Sequence, residues 1–228
     1  MKLISIIIPV LNEAEQIEDL LSYLKGFDVE LIVVDGGSVD DTVPLARRYD
    51  CKLLSTPSGR ALQMNMGAEA AGGEVLLFLH ADTRLPQNFY TTLTEDFICC
   101  SFEWGRFDVN LSGKPVIFRL IERMMNLRSR WTGIATGDQA IFVRSDTFKA
   151  IGGYAEIPLI EDIEICTRLK SRSSPYCAKH RVSTSSRRWE NNGIVRTMLL
   201  MWRLRLAYYL GVTPEKLVQR YYPDHKVN

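Results

Sequence analysis

Apolar positions alternate between two periods over the first hundred residues. Positions 3–8 form a continuous apolar run rich in β-branched residues, the pattern of a strand buried on both faces. Ile17, Leu20, Leu21 and Leu24 then recur at helical spacing, one apolar stripe on a polar segment. Positions 31–34 predict a second strand, 42–48 a short helix capped by Asp40 or Asp41, and 52–54 a third strand. Positions 60–70 predict a helix closed by Gly72-Gly73, and 75–79 a fourth buried strand. Pro86 suits the first turn of another helix. Strand–helix units at this spacing predict an α/β fold: a mostly parallel, twisted sheet with right-handed connections and helices on both faces.

Beyond residue 100 the pattern loosens. Positions 106–111 and 140–143 predict strands, and 116–127 and 162–169 predict helices. Positions 194–210 predict a long helix, apolar nearly all round, on which Arg196, Arg203 and Arg205 do not share one face. Such a helix packs in a core, in a homodimer interface, or at a membrane surface. Pro214 starts a last short helix, and no internal repeat or linker interrupts the chain.

Composition narrows the function classes. The 228 residues carry 28 Lys+Arg against 27 Asp+Glu, a net charge of +1, which argues against a nucleic-acid partner. Hydrophobic residues at 46% and charged residues at 24% are ordinary for a globular protein. The five cysteines are odd in number and lack metal-ligand spacing, so buried, reduced thiols are expected. The apolar stretch at positions 3–11 lacks a small-residue cleavage site and is too short to span a bilayer. A cytoplasmic protein is therefore expected.

Ligands of open α/β sheets bind beyond the carboxyl ends of the strands. Here strand one runs into Pro9, Asn12 and Glu13. Strand two runs into Asp35, Gly37, Asp40 and Asp41, and strand four into His80, Ala81 and Asp82. Any one of these residues can serve as a helix cap, but a carboxylate directly after an apolar strand is costly without a partner. The glycine pattern is neither Gly-x-Gly-x-x-Gly nor a Gly-Lys-Ser/Thr phosphate loop, which disfavours a nicotinamide enzyme and an ordinary ATPase.

Several motifs, in order, resemble glycosyltransferase family 2, the inverting nucleotide-sugar enzymes of GT-A fold. They are Pro9-x-x-Asn12-Glu13, Val33-Val34-Asp35-Gly36-Gly37-Ser38-x-Asp40-x-Thr42 and Gly59-Arg60-Ala61-x-x-x-Asn65-x-Gly67-Ala68. Phe78-Leu79-His80-Ala81-Asp82-Thr83, Gly137-Asp138-Gln139, Gly152-Gly153-Tyr154 and Glu161-Asp162 follow. The resemblance implies a GT-A domain over residues 1–190. Its nucleotide-sugar-binding, Rossmann-like half would be residues 1–100 and its acceptor-side half 101–190, with a C-terminal helical appendage over 191–228.

It also implies roles. Asp82 stands where the family's metal-binding Asp-x-Asp motif ends, with His80 at its first acidic position, so Asp82 would hold Mg²⁺ or Mn²⁺. His80 would bond the diphosphate, hold Asp82, or be an ordinary strand-end histidine. Pro9, Asn12, Glu13, Asp35, Gly37, Arg60, Asn65, His80, Ala81 and Asp82 would bind a UDP- or GDP-linked sugar. Gly36 departs from the family's second Asp, and Gln63 and Asn65 can equally serve only their helix's solvent face. Asp162, beside Glu161, would be the general base. Trp131, Gly137, Asp138, Gln139, Arg187, Arg188 and Trp189 would face the donor sugar or the acceptor, itself a sugar or lipid-linked. A degenerate sugar-nucleotide-binding or membrane-docked scaffold and a nucleotidyltransferase are the competing readings. The latter usually carries a Gly-rich phosphate loop after strand one, where this chain has Pro9-Val10-Leu11-Asn12-Glu13.

Overall fold

The computed structural model of the chain describes residues 2–221. Its centre is an eight-stranded sheet in the order β3-β2-β1-β4-β7-β6-β8-β5. The strands are β1 (Ile4–Val10), β2 (Glu30–Asp35), β3 (Lys52–Ser55), β4 (Val75–Phe78), β5 (Thr83–Arg84), β6 (Trp104–Leu111), β7 (Phe142–Arg144) and β8 (Tyr176–Thr184). β3, β2, β1 and β4 pair in parallel, as the alternating periods predict. β7 then enters antiparallel to both β4 and β6, and β8 runs parallel to β6.

Residues of β1 alternate between two cores. Ile4, Ile6 and Ile8 join α1 (Ala14–Leu24) through Ile17, Leu20, Leu21 and Leu24. Ile7 points the other way, toward Ala61, Met64 and Ala68 of α3 (Arg60–Ala70). The two helices therefore cover opposite faces, which is why the strand reads as unbroken apolar sequence. A short α2 (Thr42–Ala46) lies between them in the chain. Pro86 is not in a helix: its carbonyl accepts the Phe89 N–H in the turn that leads into α4 (Phe89–Thr91) and a π-helical stretch, Thr92–Ile98.

The second half adds α5 (Val116–Thr132), α6 (Ser145–Ala150), α7 (Glu161–Arg172), α8 (Arg187–Asn192), α9 (Ile194–Tyr209) and α10 (Pro214–Tyr221). β8 is absent from the sequence-based expectation because Lys179, His180 and Arg181 break its apolar alternation. All three are exposed, and the pairing with β6 shifts register between Phe107 and Asp108. The cysteines are all free, but only Cys166 is buried; Cys99 and Cys100 are exposed, contrary to the expectation of buried thiols. They follow the π-helical stretch, where the chain leaves the core.

Candidate active site

β1, β2 and β4 are neighbours, so the loops leaving their carboxyl ends lie side by side. Side chains knit the first two loops together. Asn12 Oδ1 accepts the Val39 N–H at 2.9 Å, and the Asn12 N–H donates to Ser38 Oγ at 2.8 Å. Asp35 accepts the N–H groups of Gly37 at 3.0 Å and Ser38 at 3.1 Å, and Gly37 turns the chain at φ 94°, where glycine is unstrained. Asp40 accepts the Ala14 N–H at 3.1 Å, and Thr42 Oγ1 accepts the Glu13 N–H at 2.8 Å.

Beneath this loop lies Gln63. It is buried, not on the solvent face, and its Nε2 donates to Val10 O and Val34 O at 2.8 Å each. A Cβ at Gly36 would stand 3.1 Å from the Gln63 amide. The departure at position 36 thus has a steric counterpart: the amide that ties β1 to β2 packs directly under it.

A cavity of ≈ 210 Å³ opens next to the loop after β4. Arg60, His80, Asp82, Gly137, Asp138, Glu161, Asp162 and Trp189 all line it. Asp82 and Asp162, from opposite halves of the chain, therefore face one space. Asp162 Oδ2 accepts the Gly137 N–H at 3.1 Å and its Oδ1 accepts the Ile163 N–H at 2.8 Å, which fixes the carboxylate's direction. Glu161, just inside α7, is buried with Oε1 3.7 Å from Arg60 Nη1. Before them Ile160 sits at φ 70°, a conformation unfavourable for a β-branched residue, at the turn that aims both acids inward.

Not every candidate reaches this cavity. Pro9 and Asp35 lie at the ends of β1 and β2, Asn12, Glu13 and Gly37 on the loops that follow them, and Ala81 is buried within the loop after β4. Both ends of the Asn65 amide are used by Tyr154: Nδ2 donates to its carbonyl at 2.9 Å and Oδ1 accepts its N–H at 2.8 Å. Gln139 is fully buried and donates to Phe107 O and Ser129 Oγ. Trp131 is 80% exposed and lies off the cavity. Arg187 pairs with Glu15 at 3.1 Å, and the Arg188 side chain lies outside the described residues. Conversely Thr197, Met201, Leu204 and Arg205 of α9 and Tyr221 of α10 line the cavity. The long C-terminal helix is a wall of the site, a placement that no periodicity signals.

Charge in the cavity is lopsided. Burial and then the charges of Asp82 and Asp162 push the Asp138 carboxyl up to about 6. Burial, and next the charge of Asp162, raises Glu161, which Arg60 partly offsets. Burial, and next Asp82, raises Glu13. Burial and then Arg60 push His80 down to about 3, so its ring is neutral at pH 7. Its 3.7 Å approach to Asp138 is then no ion pair. Among the described residues no three His, Cys, Asp or Glu side chains converge tightly enough to hold a metal unaided. An acid-rich wall with a few accessible oxygens fits a hard divalent cation that takes its remaining ligands from a phosphate.

The sequence model described as Glycosyl transferase family 2 matches residues 5–148. Succinoglycan biosynthesis protein ExoA of Rhizobium meliloti is 28% identical over 187 residues, 72% of this chain and 57% of that protein. A PGL/p-HBAD biosynthesis glycosyltransferase of Mycobacterium tuberculosis is 38% identical over 170 residues, 66% of this chain and 62% of that protein. The chain thus spans about three fifths of the length of these relatives. In fold it is similar to the mannosyltransferase PcManGT of Pyrobaculum calidifontis, solved with GDP-Man and Mn²⁺. The TM-score is 0.66 at 19% identity, over 99% of this chain and 65% of that one. It is likewise similar to S. aureus TarS in complex with UDP, with TM-score 0.65 at 18% identity over 80% of this chain and 60% of that one. With the family match covering well over half its length and the sheet and site geometry described above, the chain belongs to glycosyl transferase family 2.

Proposed function

We propose that the protein transfers a sugar from a nucleoside-diphosphate sugar to an acceptor hydroxyl by a single inverting displacement, with Asp162 as general base. The observation that carries this reading is the shared cavity: Asp82 and Asp162 line it from opposite halves of the chain. The names of the relatives support transfer chemistry, and the solved neighbours hold UDP, or GDP-Man with Mn²⁺.

Asp82 is the carboxylate we assign to a divalent cation. When bound, that cation would neutralise charge growing on the departing diphosphate. Arg60, steadied by Glu161, supplies a second positive charge on the same wall. The acceptor oxygen attacks the anomeric carbon as the bond to the diphosphate oxygen breaks. Its proton passes to the Asp162 carboxylate, held toward the cavity by the Gly137 N–H. We assign Trp189 and Asp138, both on the cavity wall, to sugar faces and hydroxyls. The nucleotidyltransferase reading lacks its phosphate loop at the end of β1, where Asn12 and Glu13 instead bond the loop after β2.

The test is a panel of nucleotide-sugars incubated with and without Mn²⁺, reading released diphosphate. Donor-selective, Mn²⁺-stimulated release is expected, and Asp162→Asn should reduce transfer by roughly 10²-fold or more while donor binding persists. Absence of both release and nucleoside-diphosphate binding would overturn the reading. Loss of binding in Asp162→Asn would remove that residue from its role.

A further inference from the structure

α5 and α9 approach each other at two places. Ile194, at the start of α9, packs against the cluster formed by Leu111 of β6 with Phe118 and Ile121 in the first turns of α5. Further along, Arg128 of α5 lies within electrostatic reach of Arg205 and Tyr209 of α9. The two junctions follow in the same order along both helices, so their chain directions agree.

Each helix leaves an apolar stripe uncovered. On α5 it comprises Ile117, Leu120, Met124, Leu127 and Trp131, three or four residues apart and 39–80% exposed. On α9 it comprises Val195, Leu199, Trp202, Leu206 and Tyr209, at the same spacing and 48–64% exposed. In both helices the stripe lies opposite the buried positions: Phe118 and Ser129 on α5, and Thr197 and Leu204 on α9. Both stripes therefore face away from the core.

The charge on this face has one sign. α9 carries no acidic residue, and the sole acid of α5, Glu122, is buried and paired with Arg119 at 2.8 Å. Arg123, Arg196 and Arg203 are exposed and have no carboxylate partner among the described residues. Arg196 and Arg203, seven residues apart, share one edge of the α9 stripe. Arg123 edges the stripe on α5.

We propose that this face docks on a bilayer surface containing anionic lipid. Apolar side chains with tryptophan on one face and unpaired arginines at its margin are what such an interface binds. A second copy of the chain fits less well, because it would bring unneutralised arginines against one another. The proposal is independent of the transfer chemistry, since none of these residues lines the cavity.

The test is co-sedimentation of the purified protein with phosphatidylcholine vesicles, with and without phosphatidylglycerol, alongside tryptophan emission and solution mass. Binding is expected only with phosphatidylglycerol, together with a blue shift and weakening as salt rises. Arg123→Gln and Arg203→Gln should each lower partitioning about fivefold. The double variant Leu120→Gln/Leu206→Gln should lower it at least about tenfold with unchanged thermal unfolding and donor hydrolysis. No sedimentation with either vesicle, binding that these variants leave unaltered, or a dimer that the double variant dissociates would each overturn the proposal.

Discussion

The Cε1–Nε2 edge of the His80 ring abuts Gly137. A Cβ at position 137 would stand 2.6 Å from both Cε1 and Nε2 of that imidazole. The contact joins the loop after β4 to the segment whose N–H holds Asp162, so one small residue sets the spacing between the two halves of the site.

Gly137→Ala should therefore cost about 1–3 kcal/mol of stability, as overpacking does. Adding His80→Ala should restore most of it. Thermal unfolding of the single and double variants checks this. Equal melting temperatures for Gly137→Ala and the parent chain would show that the ring yields freely.

Asp138 makes stability depend on pH in a defined direction. Its folded carboxyl is raised to about 6 from 3.8, so the folded state holds the proton more tightly than the unfolded chain does. Its contribution is fully present below the unfolded value and is lost as pH rises through about 6. Asp138→Asn should abolish that decline and leave the metal-free protein more stable at pH 8. The gain should be on the order of 1 kcal/mol, because solvent reaches the side chain and screens it. Urea unfolding of both proteins at pH 4 and pH 8 is the measurement; parallel profiles would refute the assignment.

Asn65 bridges α3 to the backbone of Tyr154 through two hydrogen bonds. Asn65→Ala should lower stability by about 2 kcal/mol, since two backbone groups lose their partner. Donor affinity should change little. A large loss of affinity with normal stability would return Asn65 to the nucleotide site.

Asp82→Asn should weaken Mn²⁺-supported binding of a nucleoside diphosphate roughly tenfold or more and leave metal-free binding nearly unchanged. Titration calorimetry with and without Mn²⁺ separates the two. Equal loss in both conditions would make Asp82 a direct nucleotide contact instead.

The legibility of the fold follows from how locally each element is determined. The α3 boundaries, the buried runs of β1, β2 and β4 and the α1 stripe are all written in short-range periodicity, and they appear as expected. β8 is hidden by a bulge that exposes three successive polar residues. Gln63 occupies an α3 position where a polar residue ordinarily faces water; only the close approach of that helix to the sheet makes it a buried clamp. The motifs pick out Asp82 and Asp162, but Arg205 and Tyr221 reach the cavity through packing of the C-terminal helices, which no local pattern encodes. The α9 sequence reads as apolar all round, and only the packed structure shows which of those side chains remain outside.

The ties from Asn12 and Asp35 to residues 37–39 have a thermodynamic consequence. A segment already clasped by its neighbours has surrendered its conformational freedom during folding. Whatever settles on that shelf meets a finished shape, so little entropy remains to be lost on association. Severing the Asn12 clasp should therefore appear as a more unfavourable binding entropy, even where no contact to the bound molecule is removed.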